Sequence, residues 1–273
     1  MEIKTFSVVT PCYNAENTIL ETVDSILRQT AVLSGRAKLE YLICDGGSTD
    51  RTVELVTGLR HPDIRILSEK DEGMYQALVK GIRLATGEVF SYLNAGDTYS
   101  PFAFEVVQEL LKKDIRWLTG LQVVYNESSH FTSVRLPFRY RRRFLELGWY
   151  GERLPALQQE STFWDRSLMD GLDLERLASL RYAGDYHLWM EFAKKTDLRV
   201  VGTWLGGFKR QRGQLSENRE AYRTEQLSLV EKRSHSLDAM AALLERAIWL
   251  APDFVKERMG KIFRFDHGKQ EWE

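Results

Sequence analysis

Four short polar stretches carry the residue types that chemistry needs. In Asp45-Gly46-Gly47-Ser48-Thr49-Asp50 a carboxylate can accept from the imide or amide edge of a nucleobase, and two glycines let the backbone approach a flat ligand. The same hexapeptide also reads as a tight turn with Ser48 or Asp50 capping the next helix. Asn94-Ala95-Gly96-Asp97 ends in a carboxylate suited to a hard divalent cation bridging a diphosphate, or to opening the turn before Pro101. Asp185, in Ala183-Gly184-Asp185-Tyr186-His187-Leu188-Trp189, is either a helix cap or a carboxylate held on a rigid element to take a proton from a hydroxyl. His187 is left without a role. Pro11-Cys12-Tyr13-Asn14 is by itself only a turn signal.

These stretches gain meaning from the elements that must position them. Phe6–Thr10 reads as a strand ended by Pro11, and Thr18-x-x-Glu21 as a capping box before a helix with Ile19, Val23, Ile26 and Leu27 inward. Strands follow at 39–44, 64–67 and 89–93, with helices after Asp50, from Met74 to Thr86 and from Pro101. The order β-α-β-α-β-α-β predicts an α/β fold with a mainly parallel sheet, helices on both faces and ligands along the strands' carboxyl ends. Every polar stretch in the first half falls there. Further on, 118–125 and 131–136 suggest a hairpin, 185–195 a helix and 198–208 extended chain; beyond Ser216 the chain is helical, broken at Pro252. The expected division is 1–215, with a nucleotide-sugar half at 1–115 and an acceptor half at 116–215, and a helical extension at 216–273.

In order along the chain, these blocks resemble the family 2 glycosyltransferases of bacterial polysaccharide synthesis. The blocks are 7–14, 44–50, 71–77, 85–97, 159–164, 184–189 and 206–216. The resemblance implies a GT-A fold and an inverting, single in-line displacement at an anomeric carbon. It implies that Pro11, Tyr13, Asn14 and Asp45 hold the nucleobase and that Asp71 lies beside the nucleoside. Asp97 would bind Mn2+ or Mg2+ with Asn94 beside it, and Asp185 would be the general base. Gln159, Glu160 and Trp164 would contact the acceptor, and a loop over 206–216 would bring Lys209, Arg210 and Arg212 to the diphosphate. Three positions depart from the family's pattern. Asn94 replaces the first acid of the metal motif, Gly46 replaces a second aspartate, and Gln211 stands where some relatives carry histidine.

Composition removes other classes. The 273 residues are 43% hydrophobic and 28% charged with a net charge of −1, so nothing global attracts nucleic acid. No Gly-x-Gly-x-x-Gly follows the first strand and no P-loop pattern occurs. A sugar-phosphate nucleotidyltransferase would need a glycine- and arginine-rich loop after that strand. A catalytically silent GT-A scaffold would have lost Asp97 or Asp185. Cys12 and Cys44 lack metal or redox spacing and read as half-buried thiols in a reducing compartment. With no secretory pattern at the start and no long apolar run, the expectation is a cytoplasmic protein, or one peripheral on the inner face of a membrane. Two segments suit such a contact. Arg139–Phe144 interleaves arginine with aromatics, and Val255, Met259, Ile262 and Phe263 with Lys256, Arg258, Lys261 and Arg264 suggest a basic amphipathic helix. The expected partners are thus a nucleotide-sugar donor, a glycan or lipid-linked acceptor and an optional membrane surface.

Overall fold

Strands covered on both faces read as near-continuous apolar runs, and the first two strands do so because helices cover both sides of the sheet. A computed structural model describes residues 3–273. Strands β1 (Lys4–Cys12), β2 (Ala37–Asp45), β3 (Ile64–Ser68) and β4 (Val89–Tyr92) alternate with helices α1 (Ile19–Leu27), α2 (Thr30–Leu33), α3 (Thr52–Gly58) and α4 (Met74–Leu84). Then come β5 (Thr98–Tyr99), α5 (Ala103–Leu111), β6 (Trp117–Thr119), β7 (Gln122–Tyr125), β8 (Phe131–Arg135) and α6 (Arg142–Glu146). They are followed by β9 (Thr162–Asp165), α7 (Leu174–Ala178), α8 (Gly184–Lys195), β10 (Arg199–Val200) and β11 (Gly206–Lys209). The C-terminal part holds α9 (Arg219–Ser228), α10 (Ser236–Trp249), α11 (Asp253–Gly260) and a small hairpin, β12 (Phe265–Asp266) with β13 (Glu271–Trp272).

The main sheet has the order β10-β6-β9-β4-β1-β2-β3, and β9 runs antiparallel to its two neighbours β4 and β6. The strand order reverses between the parallel neighbours β1 and β4, β2 and β3 lying to one side and β4 to the other, so the crevice for a ligand lies at their carboxyl ends. A second sheet, β5-β11-β7-β8, closes one side of it. Both expected halves, 1–115 and 116–215, contribute strands to the main sheet. Two apolar clusters sandwich it. One is built on Phe6, Val8, Ile19, Val23 and Phe104, with Phe6 and Phe104 stacked at 4.1 Å. The other is built on Trp117, Trp164, Trp189 and Phe192, whose rings meet at 5.2–6.0 Å.

Several local expectations are corrected. Pro11 does not end β1. The strand runs on to Cys12 against β2, and Pro11 faces the β4 side beyond Tyr92, where no ladder bond needs its missing N–H. Thr18 and Glu21 form no capping box, because the Glu21 carboxylate is drawn away to Lys209 and Ser129. The 118–125 segment splits: β6 joins the main sheet, and only β7 forms the hairpin with β8. The basic C-terminal helix stops at Gly260, and Ile262 and Phe263 turn inward, Phe263 bridging to Val201. In Arg139–Phe144 the aromatics Tyr140 and Phe144 are buried, while the arginines bind Glu245, Asp197 and Asp238. The segment is therefore chiefly an internal joint. Among the described residues no helix is long and apolar enough to cross a membrane.

Candidate active site

The loops after β1 and β2 are tied to one another. Asn14 sits at φ +47° and accepts from Thr49 N at 2.9 Å, and its own N–H donates to Ser48 Oγ at 2.8 Å. Ala15 N donates to Thr52 Oγ1, and Glu16 N to Asp50 Oδ2. Asn14 and Asp50 thus act as staples, which the sequence left as ligand or turn. Asp45 is buried and accepts from Gly47 N, Ser48 N, Ser48 Oγ and Ser68 Oγ. Burial raises its carboxyl, but these donors outweigh burial and hold it below its usual range. Little acceptor capacity is left on Asp45 for a base. Tyr13, by contrast, stands exposed on the loop of Asn14.

Asp71 occupies space that Gly46 leaves open. A Cβ on residue 46 would lie 2.7 Å from Asp71 Oδ1, so an aspartate there is sterically incompatible with this placement. Asp71 Oδ2 is buried without a hydrogen bond, with Lys80 Nζ 3.5 Å away, and burial raises its carboxyl. A buried acceptor lacking a donor beside Tyr13's loop fits a ligand hydroxyl or N–H.

Three further carboxylates converge across the crevice. Asp97, buried after β4, accepts from Lys209 N of β11 at 2.8 Å. Burial, then the charge of Glu160, push it well above the carboxylate range. Glu160 lies in a short turn before β9, and burial raises it to about 7, with the charge of Asp185 adding to this. Gly206 makes this approach sterically feasible, since a Cβ there would sit 2.0 Å from the Glu160 carbonyl oxygen. Beside them Asn94 Oδ1 and Gln159 Oε1 are buried without partners, Gln159 being anchored by its Nε2 on the Tyr92 carbonyl. Among the described residues no three His, Cys, Asp or Glu side chains are grouped to hold a metal by themselves. Asp97 with the orphaned Asn94 oxygen nevertheless offers hard donors of the kind Mg2+ and Mn2+ accept together with substrate phosphates.

Asp185 begins α8 without being its cap, since Ala183 holds that position. Its carboxylate is half-buried, accepts from Tyr186 N at 2.7 Å and from Tyr222 Oη at 3.0 Å, and lies 3.5 Å from Tyr75 Oη. Burial lifts it to about 6 in spite of these donors. The Glu225 carboxylate accepts the N–H groups of Arg181, Tyr182 and Ala183, fixing the loop that leads into Asp185. Tyr222 and Glu225 both come from α9, so the stretch expected as an appendage supplies the partners of the candidate base. Only Tyr75 lay inside a motif block.

Other expected residues divide. Arg210 and Arg212 are exposed, form no ion pair with a described residue, and line a surface cleft with Gln211, Glu217 and the β7–β8 hairpin. Lys209 is buried and its ammonium is held by Glu21 and Ser129, away from the free arginines. Trp164 is corrected outright. It is fully buried among Phe90, Trp189 and Phe192, where no acceptor reaches it, because the inward face of β9 points into the aromatic core. His187 is buried, and burial lowers its pKa, as for a neutral core imidazole. Cys12 and Cys44 are free buried thiols; burial pushes Cys12 far up and Cys44 to about 11, which leaves both unreactive.

A crevice where the strand order reverses between β1 and β4, loops stapled around it and carboxylates on two rigid elements define an α/β protein with an acidic ligand site. Residues 7–164, more than half of the chain, match the family described as Glycosyl transferase family 2, and the chain belongs to it. The chain is 29% identical over 196 residues to an uncharacterized glycosyltransferase of Rickettsia typhi, covering 69% of this chain and 58% of that one. It is 25% identical to the UDP-Glc:alpha-D-GlcNAc-diphosphoundecaprenol beta-1,3-glucosyltransferase WfgD of Escherichia coli, over 71% and 72% of the two chains. Its fold matches the mannosyltransferase PcManGT of Pyrobaculum calidifontis, solved with GDP-Man and Mn2+, at a TM-score of 0.62 and 20% identity, covering 95% and 74%. The fold is thus GT-A. The chain spans less than two thirds of the length of the Rickettsia relative. Asp185 lies beyond the family match.

Proposed function

We propose that the protein moves a sugar from a nucleotide diphosphate donor, a uridine diphosphate sugar, to an acceptor hydroxyl with inversion, and that Asp185 is the general base. The observation that carries this is the half-buried Asp185 carboxylate, raised to about 6, hydrogen-bonded by two elements and facing the crevice that holds Asp97. A base with that proton affinity is mostly ionised at neutral pH yet strong enough to take a proton. The acceptor oxygen attacks the anomeric carbon as its proton passes to Asp185, and the bond from that carbon to the diphosphate oxygen breaks. Tyr13 stacks on the base, Asp71 accepts from the nucleoside, and Arg210 and Arg212 meet the diphosphate. Gln159 and Glu160 orient the acceptor. Asp97 and Asn94 would hold a divalent cation, which when bound offsets the charge of the diphosphate leaving group.

The Escherichia coli relative, by its name, acts on a diphosphoundecaprenol-linked sugar. This supports a lipid-linked saccharide as acceptor and a peripheral membrane contact through arginines of 139–143 and the C-terminal helices. The test is Asp185→Asn. Turnover should fall by about 10²–10⁴-fold, while UDP affinity by calorimetry stays within about twofold of wild type and drops on adding EDTA. Normal turnover in the variant would remove Asp185 as base; UDP affinity indifferent to EDTA would remove the cation.

A further inference from the structure

The loop leading into α8 is gripped from two sides. From one side the Glu225 carboxylate of α9 takes the N–H groups of Arg181, Tyr182 and Ala183. From the other comes buried Tyr75, in the first turn of α4. Its hydroxyl donates to the Tyr182 carbonyl and accepts the Asp185 N–H, each at 3.1 Å. A phenol has one proton to give. With that proton on Tyr182, the Asp185 carboxylate 3.5 Å away is a neighbour of the hydroxyl and not its acceptor. Tyr75 therefore holds the backbone of the candidate base, while Tyr222 holds its charge.

The ring is seated as closely as the hydroxyl. It packs on Gly184, where a Cβ would fall 2.5 Å from two ring carbons. Gly184 opens α8 and has no positive φ, so its backbone would accept any residue, and it is the Tyr75 ring that requires glycine. Ring and hydroxyl together fix where α8 starts relative to α4. Asp71, with its orphaned buried oxygen, stands in the loop that opens α4. One short stretch of chain thus reaches both the nucleoside side of the crevice and the base.

We propose that Tyr75 is the positioning residue of the base: it seats the Asp185 main chain and so sets the reach of the carboxylate to the acceptor hydroxyl, in register with the donor loop at the head of α4. This deepens the reading of Asp185 as general base and rests on it. The test is Tyr75→Phe, which keeps the ring on Gly184 and removes only the hydroxyl. On the plateau above the rising limb of the pH–kcat profile, turnover should fall about 10–10²-fold, as for a small misplacement of a catalytic group. The Michaelis constant for donor and the UDP affinity by calorimetry should stay within about twofold of wild type, which also shows that the variant is folded. The limb should keep its pH, since Tyr75 gives the carboxylate no proton. Gly184→Ala should lower turnover in the same way by pushing the ring aside. The double variant should be no slower than the slower single one, because both changes act through one seat. A Tyr75→Phe plateau equal to wild type, or losses that multiply in the double variant, would overturn the proposal. So would a limb that moves while the plateau holds, or a parallel loss of UDP affinity, which would make Tyr75 a structural residue. Asp185→Asn measured alongside separates the two levels. Normal turnover there removes the base and the role of Tyr75 with it, whereas an inactive Asp185→Asn beside a normal Tyr75→Phe leaves the base standing and refutes the role of Tyr75 alone.

Discussion

Asp185 and Tyr222 stand 37 positions apart, yet a hydrogen bond between them, with that of Tyr186 N, holds down the proton affinity that burial raises in the candidate base. The Tyr222 hydroxyl favours the charged carboxylate, opposing the burial that raises it. As an acid whose pKa is raised on folding, Asp185 is protonated below about 6 and ionised above. Turnover that needs the ionised base should therefore rise with pH through about 6 and level off above it. Tyr222→Phe removes a donor to a charged acceptor, an effect of about 1.5–3 kcal/mol, so the rising limb should move to higher pH by about one pH unit or more. A pH–kcat profile checks this, and the Michaelis constant for donor should stay unchanged. A uniform fall in kcat with no movement of the limb would make Tyr222 merely structural.

At the scale of elements, two glycines near the crevice have different work. Gly46 faces the end of a movable side chain, Asp71, while Gly206 on β11 faces the backbone of the turn that carries Glu160. Gly46→Ala should displace the Asp71 carboxylate and weaken UDP binding by about tenfold, with stability changed by under about 1 kcal/mol. Gly206→Ala forces β11 off the Glu160 turn and should cost about 3 kcal/mol or more. Denaturant titration beside UDP calorimetry separates the two. Equal destabilisation by both would show that the Asp71 loop cannot yield.

For the molecule as a whole, the C-terminal helices are joined to the GT-A sheet by charge as much as by apolar contact. Glu245, with Arg139 and Arg141, is the buried centre of that joint, and Trp249 packs on Tyr140 at 5.3 Å beside it. Glu245→Gln leaves two half-exposed arginines without a counter-charge. We expect a loss of about 1–3 kcal/mol, less than for a fully buried pair because solvent reaches the arginines. Thermal unfolding should show it as a drop of several degrees with UDP affinity retained. A midpoint equal to wild type would mean that the apolar contacts alone hold α10.

What the sequence determined by itself was whatever rests on local pattern. Alternating strand and helix periods determined the mainly parallel α/β arrangement from β1 to α5, and polar stretches at strand ends located Asp45, Asp71 and Asp97 along one edge of it, while GT-A and the role of Asp185 came from the ordered family-like blocks. Long-range packing decided the rest. Trp164 carries the same residue type as a sugar platform and differs only in facing the aromatic core. Lys209 resembles a diphosphate ligand until Glu21, 188 residues away, neutralises it. The Tyr222 and Glu225 contacts with the Asp185 loop leave no trace in spacing, because a hydrogen bond between distant elements imposes no local period. That Glu245 on the inner face of α10 is buried against Arg139 and Arg141 is likewise decided only in the folded chain.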